Sequence, residues 1–172
     1  MKRHVVLIGL PGSGKTTVGR LAAEQLQAGF VDVDGIIARR EGKPITMIFA
    51  EKGEAAFREM ERKEMETALG AAPAVVAPGG GWAAQPGAIE EARRCALVIY
   101  LRARPEMAAQ RAEPEGTRPL LLGEDPVARM RQLLKEREPF YRNAHAEVDT
   151  DRKTPPQVSF EVVRLAQSSA GW

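Results

Sequence analysis

The chain has 172 residues, enough for one domain with its own hydrophobic core. Its 25 Lys and Arg stand against 23 Asp and Glu, and the net charge of +2 gives no case for a nucleic-acid partner. The single cysteine, Cys95, excludes an internal disulfide and a multi-cysteine metal site, and no run approaches the roughly 20 apolar residues of a membrane span.

The first predicted element is a strand over Val5–Ile8. The opening MKRHVVLIGLPG is too brief an apolar run for a secretion signal, so a soluble cytoplasmic protein is expected. GLPGSGKT follows at Gly9–Thr16, ahead of the helix-like VGRLAAEQL. This fits G-x-x-x-x-G-K-[ST], a loop that wraps nucleotide phosphates between a strand and a helix. A plain glycine-rich turn explains the glycines but not Lys15 followed by Thr16. Backbone N–H groups of Gly12, Ser13, Gly14, Lys15 and Thr16 are expected to face the β and γ phosphates of a nucleoside triphosphate. Lys15 is expected to bridge the two phosphates, the Thr16 hydroxyl to hold Mg²⁺, and Thr17 to cap or pack in the first helical turn.

A helix from Lys15 to about Gln27 leads to a second strand, Phe30–Val33. Asp32 and Asp34 lie in FVDVD at its end, two apart on an extended chain and so pointing the same way. Loops beyond strand C-termini are where parallel sheets place ligands. Either aspartate suits a Mg²⁺-bound water, an attacking hydroxyl, or a cap on the helix beginning near Gly35. Helical stretches at Gly35–Glu41, Thr46–Glu51 and Glu54–Leu69, broken at Pro44 and Gly53, form an unusually long crossover. Such length suggests an inserted substrate-binding region, at about residues 34–61. Arg58 and Glu61 share a helix face within it, as a surface ion pair also would.

A third strand, Ala74–Ala77, is followed by Gly79–Gly81. Three successive glycines carry a large entropic cost, which close approach of backbone to a ligand explains better than a turn does. Helices at Pro86–Arg94 and Pro105–Arg111 flank a fourth strand, Leu97–Leu101, and Cys95 reads as an inert core thiol. Ala112–Asp125, AEPEGTRPLLLGED, has no clear period and is long for a structureless connection, as active-site lids are. A helix at Asp125–Glu138, a weak fifth strand at Ala146–Val148 and a helix at Pro156–Gln167 complete the chain, with Ser168–Trp172 expected to fray. Apolar runs alternating with amphipathic ones predict an α/β fold with a parallel sheet covered on both faces.

GLPGSGKTTVGR at Gly9–Arg20, DVD at Asp32–Asp34, GEAAFREME at Gly53–Glu61, GGG at Gly79–Gly81, RPLL at Arg118–Leu121 and REPFY at Arg137–Tyr141 occur in that order. Together they resemble the shikimate kinase family of P-loop small-molecule kinases, over about residues 4–165. The resemblance implies a three-layer α/β/α P-loop sandwich with a five-stranded parallel sheet, as one domain over 1–172 and a monomer. It implies phosphorylation of the 3-hydroxyl of shikimate by ATP with Mg²⁺, with neither nucleic acid nor membrane as partner. Asp34 would contact the acceptor hydroxyls as candidate base, and Asp32 would help the Mg²⁺ shell. Arg58 and Arg137 would clamp the shikimate carboxylate, Glu61 would hold Arg58, and Gly79, Gly80 and Gly81 would line the acceptor pocket. Arg111 would stack on adenine and Arg118, in a lid at about 112–125, would reach the transferring phosphoryl group. Lys15, Asp34 and Arg118 form the implied catalytic set, and Gly12–Thr17 with Arg111 and Arg118 the nucleotide-binding one. Trp82 departs from the family, which usually has a small residue there; it either narrows the acceptor pocket or packs outward near Pro86. A related small-molecule kinase such as a gluconate kinase, and a nucleotide-binding protein without turnover, are the alternatives.

Overall fold

In the computed structural model, which describes residues 1–112 and 125–172, five parallel strands form one sheet in the order β2-β3-β1-β4-β5. The strands are β1 (His4–Ile8), β2 (Gly29–Asp32), β3 (Ala74–Ala77), β4 (Ala96–Arg102) and β5 (Ala146–Asp149). The helices are α1 (Lys15–Leu26), α2 (Val33–Glu41), α3 (Ile45–Gly70), α4 (Ala88–Ala92), α5 (Pro105–Ala112), α6 (Pro126–Tyr141) and α7 (Pro155–Ser169). A short 3-10 turn, Trp82–Ala84, follows the third strand.

The pleat of β1 assigns the layers. Val5 and Leu7 join Val18, Ala22, Val158 and Val162 in a core beneath α1 and α7. Val6 and Ile8 join Ile37, Phe57, Trp82, Met130 and Tyr141 in a second core beneath α2 to α6. Side chains alternate across a strand, so a strand buried on both faces reads as a continuous apolar run, as VVLI does. β1 is central, paired with β3 on one side and β4 on the other, and its C-terminal end carries the glycine-rich loop. This is the α/β/α sandwich with a five-stranded parallel sheet expected above.

Four local expectations change. β2 ends at Asp32, whose side chain accepts the Gly35 N–H at 3.3 Å, and α2 starts at Val33. Asp32 and Asp34 therefore do not share one face of an extended chain: Asp32 caps the helix and Asp34 lies in its first turn. α6 runs through Pro139 to Tyr141 instead of stopping at Glu138. A proline in the last turn removes one backbone hydrogen bond, and the complete burial of Tyr141 outweighs it. The C-terminus is tied down: Trp172 Nε1 donates to the Arg3 carbonyl at 2.9 Å, and Lys2 Nζ stands 4.6 Å above its ring. Gly53 does break α3, with φ 85° and ψ 168° between two helical pieces. Cys95 is half-buried and not a core residue.

Candidate active site

The phosphate loop joins the end of β1 to the start of α1. Gly12 has φ 78°, and a Cβ there would strike the Ala108 carbonyl on α5, so this turn needs glycine. Lys15 is buried, and its Nζ donates to the Gly9 and Leu10 carbonyls, both at 2.8 Å. Among the described residues α1 has no side-chain cap, and its first turn holds no acidic residue, a helix start of the kind that suits an anion. Ser13 Oγ is buried with no hydrogen-bond partner among the described residues. Thr16 is half-buried in the first turn and Thr17 is exposed.

Gly79–Gly81 lies at the C-terminal end of β3, beside this loop. None of its three glycines has a left-handed φ, so backbone freedom does not explain them. Space does. A Cβ on Gly79 would lie 2.5 Å from Glu61 Oε2 and 2.9 Å from Asp34 Oδ1. One on Gly80 would lie 3.0 Å from Arg137 Nη1 and 3.2 Å from the Gly9 carbonyl oxygen. One on Gly81 would lie 2.6 Å from Arg58 Cζ. Three bare Cα atoms let side chains from α2, α3 and α6 close around one shelf. Gly9 makes the connection to phosphate chemistry, because its carbonyl accepts from Lys15 and faces Gly80. Lys15, Asp34, Arg58, Glu61 and Arg137 thus surround one region at the C-terminal ends of β1 and β3.

Arg58 Nη1 donates to Glu61 Oε1 at 2.8 Å, and its Nη2 stands 3.5 Å from Glu54. Glu61 is wholly buried, and its Oε2 has no hydrogen-bond partner among the described residues. Burial pushes the Glu61 carboxyl up to about 7 against the pull of Arg58, and the nearby Asp34 carboxylate adds to the rise. A carboxyl raised in the folded state stabilises the fold fully below its unfolded value near 4.5, and that contribution is lost as pH rises through about 7. Glu61→Gln should therefore flatten the stability profile between those two pH values. Urea unfolding at several pH values reads this, and parallel profiles for both proteins would refute it.

Arg111, in the last turn of α5, reaches the Thr150 hydroxyl at 3.4 Å, so it sits beside the loop after β5 and away from the acceptor shelf. Arg118 and most of the expected lid lie outside the described residues. Trp82 is buried in the core beneath α2 to α6. It lines a groove of about 930 Å³ with Arg58, Met65, Leu69 and Pro86, whose walls include neither Asp34 nor Arg137. Sequence reasoning missed Tyr141, whose hydroxyl donates to the Gly80 carbonyl at 2.7 Å. Its spacing of four from Arg137 was the available signal, since the pair shares a helix face.

The Thr16 hydroxyl and the Asp32 carboxylate are oxygen donors, the type a hard cation takes, and Mg²⁺ at a nucleotide needs few protein ligands because phosphates and waters fill the rest. Among the described residues no group of three or more His, Cys, Asp or Glu forms a protein-only metal site.

The family model described as shikimate kinase matches residues 11–167. The shikimate kinase of Caldanaerobacter subterraneus is 40% identical over 162 residues, covering 94% of this chain and 95% of that protein. The shikimate kinase of Mycobacterium avium is 42% identical over 172 residues, covering 99% and 97%. Among solved structures, shikimate kinase from Acinetobacter baumannii in complex with shikimate superimposes with a TM-score of 0.92 at 35% identity, covering 98% of this chain and 94% of that one.

Proposed function

The chain belongs to the shikimate kinase family, and from that premise we propose that it transfers the γ-phosphoryl group of ATP to the 3-hydroxyl of shikimate, giving shikimate 3-phosphate and ADP. The observation that carries this reading is the continuity of the two ends of the site. Lys15 holds the Gly9 carbonyl, Gly9 faces Gly80, and Gly80 and Gly81 lie against Arg137 and Arg58. A phosphate on the loop and a carboxylate held by two guanidinium groups would then stand within reach of one small acceptor.

Each residue has a separable task. The N–H groups of Gly12–Thr16 and Lys15 hold the phosphates and stabilise charge that builds during transfer. Arg58 and Arg137 grip the planar carboxylate with paired N–H donors, which a lysine point charge does less well. Glu61 fixes Arg58, and the bare Gly79–Gly81 backbone admits the ring. Asp34 orients the attacking hydroxyl and stands ready to take its proton. The acceptor oxygen forms a bond to the γ-phosphorus, the bridging bond to the β-phosphate breaks, and the hydroxyl proton leaves to Asp34 or solvent. Thr16 and Asp32 would hold Mg²⁺, which neutralises phosphate charge when bound. Arg111 would stack on adenine, and Arg118 would approach the transferring group from a lid at about 112–125. The protein acts as a monomeric single domain, with shikimate seated on the 34–61 region, in the cytoplasm.

ADP release measured with shikimate, gluconate and nucleoside monophosphates tests the reading. Mg²⁺-dependent turnover with shikimate, at least 10²-fold above the other acceptors, is the expected result, since a site built for specific polar groups rejects analogues strongly. Turnover of gluconate in preference to shikimate would install the related-kinase reading. Tight ATP binding with no transfer to any acceptor would favour a non-catalytic protein.

A further inference from the structure

We propose that Tyr141 is a positioning residue whose hydroxyl pins the Gly80 carbonyl and so aims the Gly81 N–H at the acceptor; this rests on the shikimate kinase reading above. Three successive glycines have no side chains to fix their peptide planes, so other groups must set the orientation. Each carbonyl of the run is held. The Gly79 carbonyl accepts from Trp82 N–H at 3.2 Å. The Gly81 carbonyl accepts from Ala84 N–H at 3.3 Å and Gln85 Nε2 at 3.1 Å. These bonds belong to the turn itself. The Gly80 carbonyl is held from afar, by a buried tyrosine on α6 at 2.7 Å.

Carbonyl and N–H of a trans peptide point in opposite directions. With the Gly80 oxygen drawn into the core by Tyr141, the N–H of the same peptide, that of Gly81, points away from the core. Gly81 is also the glycine over which the Arg58 guanidinium lies. Tyr141 cannot easily release its partner. Its ring packs against Tyr100 at 5.0 Å between centroids, a contact that needs only the two rings; the Tyr100 hydroxyl donates separately to Glu138 Oε2 at 2.8 Å. Arg137 and Tyr141, one turn apart, approach Gly80 together, so α6 sets the acceptor cation and the shelf in fixed relation.

Tyr141→Phe keeps the ring and loses the bond; Tyr100→Phe removes a hydroxyl from the same core without touching Gly80. The expected result is a rise of about tenfold in the shikimate KM of Tyr141→Phe, from one lost buried hydrogen bond and a reoriented donor. Its ATP KM should stay within about twofold, and Tyr100→Phe should keep the wild-type shikimate KM while losing thermal stability. A purely structural role predicts lower stability in both variants with neither KM moved, and that outcome overturns the proposal. Equal losses for ATP and shikimate overturn it too. If Tyr141→Phe is too unstable to assay, the wild-type protein decides: saturating shikimate should shift the Gly81 amide resonance and slow its hydrogen exchange, and an unmoved amide refutes the idea. Wild-type protein that does not phosphorylate shikimate removes the kinase reading and this inference with it. Normal wild-type turnover with an unchanged Tyr141→Phe removes this inference alone.

Discussion

Arg58→Ala should lower kcat/KM for shikimate by about 10²–10³-fold while leaving ATP affinity within about twofold. Hydrogen bonds to a charged group contribute about 1.5–3 kcal/mol each, and a guanidinium offers a carboxylate two in one plane. Arg58 is well placed for this, because its side chain is only 14% exposed and its head lies over Gly81. The substitution has a second consequence. Glu61 loses the cation that draws its carboxyl down, so its raised value should climb further and the group should take a proton near neutrality. The variant should thus be less destabilised at pH 6 than at pH 8. Arg58→Lys returns the charge without the fork and should recover only part of the activity. Kinetics with shikimate, nucleotide binding by calorimetry and unfolding at the two pH values form the test. Equal losses for both substrates in a folded protein would move Arg58 out of the acceptor role.

The sequence displays the phosphate end of this site more openly than the acceptor end, for a physical reason. Gly9–Thr16 is local: strand, loop, lysine and helix start follow one another, and each contact between them is short in sequence. The acceptor end joins residues from α2, α3, α6 and the turn after β3, and spacing alone cannot show that they meet. Gly79–Gly81 gave a partial signal, since an improbable run of glycines asks for close approach. Which groups approach it, Glu61 and Asp34 at one glycine, Arg137 at the next, Arg58 at the third, depends on the tertiary fold.

FVDVD alternates like a strand and so puts Asp32 and Asp34 on an extended chain, yet a helix can start immediately after an aspartate that caps it. The shift turns Asp34 from a strand-end residue into one on the first turn of α2, directed at Gly79. Pro139 suggested the end of α6 because its lost hydrogen bond is visible in sequence, whereas the burial of Tyr141 that offsets it is not. Ser168–Trp172 reads as a tail that frays, with Trp172 either loose or packed back, and the structure packs it back: its indole N–H and ring find partners ahead of the first strand, at Arg3 and Lys2. At Trp172 a local rule gave way to a contact far along the chain, and at Asp32 one local rule, the strand alternation, gave way to another, the helix cap.

Lys15→Met should reduce phosphoryl transfer on the order of 10³-fold with little effect on shikimate binding. Methionine keeps most of the stem that packs at the start of α1 and discards the charge. The catalytic loss follows from removing a cation next to the transferring group, where a single preorganised donor is worth about 10²–10³ in rate and a full charge lies toward the upper end. Lys15 is only 6% exposed and donates to the Gly9 and Leu10 carbonyls, so the variant also gives up hydrogen bonds that tie the loop, and its melting temperature should fall. Transfer within tenfold of wild type in single-turnover measurements would remove Lys15 from the reaction.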